Sequence, residues 1–499
     1  MSPSQRKQLL LALFLAALGA LLALSYGTAT QDDAFISLRY AQNLVDGHGL
    51  VYNPGEYVEG YTNLSWTLML AGLLAAGADP VGGSTALGWA CLLGLVLVAW
   101  QLARSHHPNW WALIAPGLIA VDGQVALEAI EGLETVFYAA LLAAAAWRLF
   151  DEARHQRAHL LSSVLFSLAC LTRPEAPLLI GLLHVGLLAG AWREGRARTQ
   201  LMASLKGAVI VVGTLVALTA WRVGYYGDPL PNTFYAKTGG SAWVRGLAYL
   251  GAYGWSHPLL SLLLVLRLAL GQWKPRSIAL LLACSGWLVY VASVGGDFKP
   301  TGRFIIPILP LLALLAVECV DLLERRFPTA RLGLAGLLLV GGIPYWHVDQ
   351  QARSWAAERH ANLQARRLVG SWLAENMPPD TVLAIHSAGA IPFYAGFHTI
   401  DMWGLTNHHI ARTEAATFGT GMAGHEKSDP EYVFSLEPDL YLPEDGVFVL
   451  KSWDLEPGPG FPADFEQDYT PIHVRIEHGV MNAWMRRDSY RAWQGLPRR

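Results

Sequence analysis

The sequence predicts an α-helical polytopic membrane protein with about eleven transmembrane helices and a C-terminal soluble α/β domain. Three observations predict it. Hydrophobic residues make up 53% of the 499-residue chain and charged residues only 15%, against about 25% charged in a typical soluble domain. Apolar runs approaching the length of a bilayer crossing recur up to Tyr345. Beyond Tyr345 hydropathy drops, and short strand-like and helix-like segments follow.

The first apolar run, 9–24, follows Arg6 and Lys7 and reads as an uncleaved membrane helix with its basic end in the cytoplasm. Further spans are expected at 84–103, 110–121, 133–150, 160–171, 176–191, 203–222, 258–270, 278–294, 304–320 and 332–345. The stretch 64–76 is the pivot, because counting it as a span inverts every later loop. With 64–76 along the membrane, Arg104, the 148–157 and 193–198 basic clusters, Lys274, Arg276, Arg325 and Arg326 all become cytoplasmic. The polar loops 31–63, 122–132, 172–175, 224–243 and 295–303 then share the opposite face with the tail. The predicted division is 1–346, with a first outer loop at 27–83, and an extracytoplasmic domain at 347–499.

Nineteen tryptophans, eighteen tyrosines and 49 glycines suit interfacial aromatic belts and close helix packing. A net charge of -3 gives no basic face for nucleic acid. Cys91, Cys170 and Cys284 fall inside apolar stretches and Cys319 near the end of another, without metal-type or disulfide spacing. In the tail, "TVLAIHSAGAIPFYAGFHTIDMWG" reads as a βαβ unit with strands at 381–385 and 399–402, and "YVFSL" and "GVFVL" as further strands.

The first outer loop carries the strongest chemical signal. Asp32 or Asp33 can cap a surface helix with an apolar stripe of Ala34, Leu38, Ala41 and Val45, stopped by Gly47. A helix N-terminus favours an ionised carboxylate. Two adjacent like charges raise the pKa of one of them. The plain alternative is a cap plus a solvated acid, but an acidic pair directly after the first span, in a polar loop, points to catalysis.

One carboxylate is enough if the leaving group is a phosphate, which departs without a proton. A base for the acceptor hydroxyl and cations for the phosphate then suffice. Arg173 with Glu175, Lys237, and Asp297 with Lys299 and Arg303 supply charges on the same face. Their structural alternatives are a local Arg173–Glu175 ion pair and snorkelling side chains. Glu128, Glu131 and Glu134 share a helical face; a solvated role is preferred over cation binding because no Asp/Asn ligand loop accompanies them. His386, Asp401, His408, His409 and His425 lack HExxH-type metal spacing.

The strings "DDAFISLRYAQNL", "GHGLVYNPGEYVEGYTN", "GLET", "TRPE", "DPLPNTFYAK", "GGDFKPTGRF", "DMWGLTNHHI" and "GHEK" together resemble the bacterial GT-C proteins related to the terminal arabinofuranosyltransferases of actinobacterial cell walls. The resemblance covers nearly the whole chain. It implies the GT-C fold and an inverting transferase that takes a sugar, arabinofuranose in characterised members, from a polyprenyl phosphate. The acceptor is a glycan or glycoprotein outside the cytoplasmic membrane.

By match to the family's acidic pair, Asp32 is the expected base and Asp33 its neighbour. Arg39, Asn53, Glu59 and Asn63 of the same loop join Arg173, Glu175, Lys237, Asp297, Lys299 and Arg303 as donor-site candidates. Lys299 departs from the family pattern, which is apolar there, often Met. No organic cofactor is called for, and a divalent cation is the one inorganic partner considered. Two other readings stand beside this one: the same fold moving another sugar to lipopolysaccharide, pilin or another protein, and a lipid-linked glycan transporter. Against the transporter, the charges lie in loops and the halves do not repeat.

Overall fold

The computed structural model describes residues 3–299, 302–415, 418–443, 448–449, 455–458, 460–477 and 479–495. The chain divides into two compact units, each discontinuous in sequence. Met1–Ala29, Ser84–Thr219 and Ser241–Ala357 form the first; Thr30–Gly83, Ala220–Gly240 and Glu358–Arg499 form the second.

Six helices are long and apolar enough to cross a membrane: Pro3–Leu24, Pro80–His106, Ala176–Arg193, Ala197–Tyr226, Pro275–Val294 and Ile306–Arg326. A seventh crossing follows if Trp243–Ser256 and Pro258–Leu270, bent by 101°, count as one broken span. The bend falls where Pro258 disfavours helical backbone in the residue before it, and His257 accordingly sits at φ -122°, ψ 57°. Length and composition therefore give six or seven crossings among the described residues rather than the expected eleven. Trp110–Ala120 and Leu160–Thr172 are short apolar helices, and 332–345 divides between Arg331–Val340 and the 33-residue Pro344–Asn376. Gly341, Gly342 and Pro344 stand at that break.

Hydropathy alone does not separate core from lipid-facing helices. Ile306–Arg326 and Ala197–Tyr226 are almost equally apolar, yet within the most apolar 18 residues of each, 89% of the first and 22% of the second are buried. Lipid is as apolar as a protein core, so an exposed leucine costs little there. Small residues let other helices approach closely. Gly186 and Gly190, one turn apart on Ala176–Arg193, leave no room for a Cβ beside Ala279 and Pro275 of the neighbouring helix.

The second unit holds a six-stranded sheet: β1 (Val382–Ile385), β2 (His398–Asp401), β3 (Leu440–Leu442), β4 (Phe448–Val449), β5 (Tyr469–Ile476) and β6 (Gly479–Arg486). β1 pairs in parallel with β2 and β3, and β6 pairs antiparallel with β3, β4 and β5. The short helix Ala390–Ala395 connects β1 to β2, as the βαβ reading expects. Leu383, Ile391, Leu440, Met481 and Met485 are buried with Val369 and Leu373 of the long helix.

"YVFSL" is a correction: Pro430–Ser435 is helical, with Pro430 in its first turn and the Asp429 carboxylate accepting from Tyr432 N at 3.0 Å. Of "GVFVL", Phe448 and Val449 form β4, and the other three residues lie outside the described residues.

Candidate active site

The helix Asp32–Val45 starts with the acidic pair in its first turn, and its N-cap is Gln31 rather than either aspartate. Every residue from Ala34 to Ala41 is buried, so the expected surface helix with a single apolar stripe is an interior one. Gly47 takes the left-handed conformation just beyond the last turn, as a stop residue does.

The Asp32 carboxylate is turned toward the start of the Ala390–Ala395 helix. Its Oδ1 lies 2.7 Å from Arg366 Nη1 and accepts from Ala390 N at 2.8 Å, while Oδ2 accepts from Gly389 N at 3.1 Å. A carboxylate has about four acceptor sites, so this set leaves Oδ2 with unused capacity. A Cβ built on Gly389 would stand 2.1 Å from Asp32 O and 2.5 Å from the carboxyl carbon, so only glycine fits. Burial raises the Asp32 pKa above the ordinary carboxylate value, with the Arg366 charge and the Ala390 amide pulling it down and Asp33 adding a smaller upward push.

Immediately before the pair, Thr30 Oγ1 and Gln31 Oε1 are buried without a hydrogen-bond partner among the described residues. Sequence reading missed Arg366, Gly389, Thr30 and Gln31. No local pattern marks Arg366, and "SAGA" reads simply as a small-residue turn.

Four predicted donor-site residues serve the scaffold of this unit. Arg39 donates to the carbonyls of Tyr52, Pro392 and Phe397 at 2.7, 2.9 and 2.6 Å and to Asn53 Oδ1 at 3.0 Å. Its guanidinium also lies over the Tyr52 ring, and burial lowers its pKa. Asn53 in turn exchanges hydrogen bonds with the Thr399 backbone on β2. Asn63 accepts from Ser37 and Thr67. Glu59 pairs with Arg222 at 2.8 Å; burial pushes its carboxyl up to about 7 against the pull of Arg222.

The quoted strings of the tail interlock in the same unit. Asp401 is buried and accepts from the backbone N–H groups of Trp403, Gly404 and Thr406, shaping the "DMWGLTN" turn. Asn232 of "DPLPNTFYAK" donates to the carbonyls of Gly404, Leu405 and Asn407. Lys427 of "GHEK" donates to Tyr235 O and Ala411 O, both at 2.9 Å. Lys237 is exposed, with its stem running past Gly424.

In the first unit the remaining candidates form ion pairs. Arg173 bridges Glu134 at 2.6 Å and Glu175 at 2.5 Å, so the local Arg173–Glu175 pair is present. Lys299 is fully buried against Glu131, with Glu128 at 3.7 Å, and Thr135 donates to Glu128 at 2.8 Å. Glu128, Glu131 and Glu134 are thus buried and paired rather than solvated, a correction whose cause is the cations of loops distant in sequence. Arg303 lies 3.6 Å from Asp297, and its Nε is buried without a hydrogen-bond partner among the described residues.

Among the described residues, no group of three or more His, Cys, Asp or Glu side chains is arranged to hold a metal ion. His408 faces Asp228 and His409 faces Asp429 in separate pairs. All four cysteines are free thiols.

Residues 351–492 match a family described as a domain of unknown function (DUF8728). Over 279 residues the chain is 31% identical to the terminal β-(1→2)-arabinofuranosyltransferase of Mycobacterium tuberculosis, covering 50% of this chain and 43% of that protein. Identity to the protein of the same name from Corynebacterium glutamicum is 28% over 385 residues, covering 65% and 52%. The chain spans about half the length of the curated relatives it matches.

Among solved structures, ArnT from Cupriavidus metallidurans bound to undecaprenyl phosphate matches with a TM-score of 0.58 at 12% identity, covering 95% of this chain and 97% of that one. The oligosaccharyltransferase AglB from Archaeoglobus fulgidus, in complex with an inhibitory peptide and a dolichol-phosphate, matches at 0.55 and 11% identity, covering 87% and 69%. The chain therefore has the GT-C fold of these proteins and resembles in sequence the actinobacterial terminal arabinofuranosyltransferases.

Proposed function

We propose that the chain is an inverting glycosyltransferase of the bacterial cytoplasmic membrane that moves arabinofuranose from a polyprenyl-phosphate donor to a cell-envelope glycan. In this reading the active centre and the C-terminal domain face the outside. The observation that carries it is the Asp32 carboxylate, placed just after the first apolar helix and held by Arg366 and two backbone amides with acceptor capacity left on Oδ2.

Asp32 takes the proton of the acceptor hydroxyl as its oxygen attacks the anomeric carbon. The bond to the donor phosphate breaks, and the phosphate leaves with the electron pair. Asp33 orients its neighbour. Thr30 Oγ1 and Gln31 Oε1, buried without partners among the described residues, take the hydroxyls of the incoming sugar. Lys237, an exposed cation of the same unit as Asp32, is assigned to the phosphate charge. In the first unit Lys299 holds Glu128 and Glu131 in place.

The test is Asp32→Asn in the purified protein, given a polyprenyl-phosphoryl arabinofuranose and an arabinan oligosaccharide. Loss of a base of this kind lowers turnover by about 10²–10⁴-fold. Unchanged turnover in a variant that melts like the wild type overturns the assignment.

A second reading keeps the fold and moves another sugar to lipopolysaccharide or protein. Mass spectrometry of envelope glycans and glycoproteins after gene deletion separates the two by which terminal sugar disappears.

A further inference from the structure

The first unit contains a pocket of about 310 Å³ that plays no part in sugar transfer as read above. It is lined by Arg154, Arg196, Lys274 and Arg276, with His106 and a single carboxylate, Glu194. Arg196 is paired with Glu194, and Arg276 with Glu318. The other two cations have no carboxylate partner among the described residues: Arg154 reaches only Ser105 O at 3.4 Å, and Lys274 is exposed at the start of its helix. His106 adds a ring nitrogen, Nε2, that is buried without a hydrogen-bond partner among the described residues. An excess of cations over a partly apolar floor of Phe150 and Leu187 suits a ligand with an anionic head and an apolar body.

The depth of the pocket identifies that ligand. Four of the six membrane-length helices begin or end at its rim: Pro80–His106, Ala176–Arg193, Ala197–Tyr226 and Pro275–Val294. Helices end where the hydrocarbon ends, so the rim lies at headgroup level. Trp192, three-quarters exposed beside it, is an interfacial residue by type. Gln200 lines the pocket, and from the next residue along the same helix Leu201, Leu205, Val209, Val212 and Val216 form one exposed apolar stripe. The stripe has the spacing of a single helix face.

We propose that this pocket binds the headgroup of an anionic phospholipid, whose acyl chains lie along the stripe of Ala197–Tyr226. Basic pockets between membrane helices hold such headgroups through Lys and Arg. The inference rests on the membrane-embedded reading of these helices and is independent of the transfer reaction.

The test uses the full chain in a neutral detergent. Phosphatidylglycerol, phosphatidylcholine and inorganic phosphate are titrated while thermal unfolding is followed, with native mass spectrometry counting bound lipid. The expected result is stabilisation by phosphatidylglycerol alone and retention of one or a few copies. Arg154→Ala/Lys274→Ala, two exposed positions, weakens that binding by about thirty-fold. Arg193→Ala/Arg198→Ala removes two cations of the same region outside the pocket and leaves binding unchanged.

Equal stabilisation by phosphatidylcholine, or an equal effect of the two double variants, overturns the proposal. So does stabilisation by inorganic phosphate as strong as that by the lipid, since it marks a free-phosphate site. Because no sugar transfer is measured, failure here leaves the Asp32 assignment untouched, and failure of Asp32→Asn leaves this one untouched.

Discussion

Arg366 Nη1 lies 2.7 Å from Asp32 Oδ1, so the guanidinium is the nearest full charge opposing the rise in the Asp32 pKa caused by burial. A general base works only when deprotonated, so activity falls on the acid side as Asp32 takes up its proton. Arg366→Gln removes the lowering influence and the Asp32 pKa moves further up. The acid limb of the kcat/KM profile is expected to shift toward higher pH, and Arg366→Lys to bring it part of the way back. An unmoved limb in Arg366→Gln would assign that limb to another group.

Gly389→Ala tests the same carboxylate sterically. The added methyl meets Asp32 backbone and carboxyl atoms at 2.1–2.5 Å, and backbone cannot step aside as a flexible side chain does. Overpacking of this kind costs about 1–3 kcal/mol. Turnover should fall at least about tenfold while the protein still folds, because a misplacement of about 1 Å at a reacting group costs more than the melting point shows. Circular dichroism and a transfer assay on one preparation check both halves.

Arg39 separates structure from substrate binding. Its removal strands the carbonyls of Tyr52, Pro392 and Phe397 in a buried site. Arg39→Leu should destabilise the protein by about 2–5 kcal/mol, seen as a lower thermal midpoint and lower yield. A variant that folds normally and shows only a raised KM would return Arg39 to the donor site.

Lys299 makes a paired prediction. Lys299→Met takes the ammonium away from the buried carboxylates Glu128 and Glu131, at a cost of about 3–5 kcal/mol. Adding Glu131→Gln removes one of those charges. The double variant should therefore melt above the single one, and a double-mutant cycle in detergent measures the coupling.

Much of the membrane unit was legible because apolar runs of about twenty residues have few alternative explanations. Breaks inside those runs were not. The Gly341–Pro344 step interrupts 332–345, which hydropathy reads as continuous, and the helix Trp243–Ser256 that joins Pro258–Leu270 through the bend at His257 is not read as part of a span. The βαβ start of the tail was legible from period and turn residues. "YVFSL" was not, because five mostly apolar residues suit either element and the Asp429 cap with Pro430 decided it.

For the site, the acidic pair could be seen in sequence, since its position after the first span is local information. Its partners could not: Gly389 stands 357 positions away. Arg39, Asn53 and Glu59 were visible as polar residues in a polar loop, but whether such residues face substrate or protein depends on contacts with distant segments. The three glutamates of the 128–134 segment failed for the same reason, their partners being Arg173 and Lys299.

That separation of 357 residues also sets a clock. At about 5–20 residues per second, roughly 20–70 s pass between synthesis of Asp32 and of the amides that receive it. During that interval Arg39 lacks the carbonyls of Pro392 and Phe397, and the buried face of Asp32–Val45 lacks the tail segments that cover it. The second unit is therefore the last part of the molecule to mature, however early its first residues emerge. A ribosome that stops short of Gly389 yields a chain with every membrane-length helix and an Asp32 that keeps Arg366 but lacks both backbone amides.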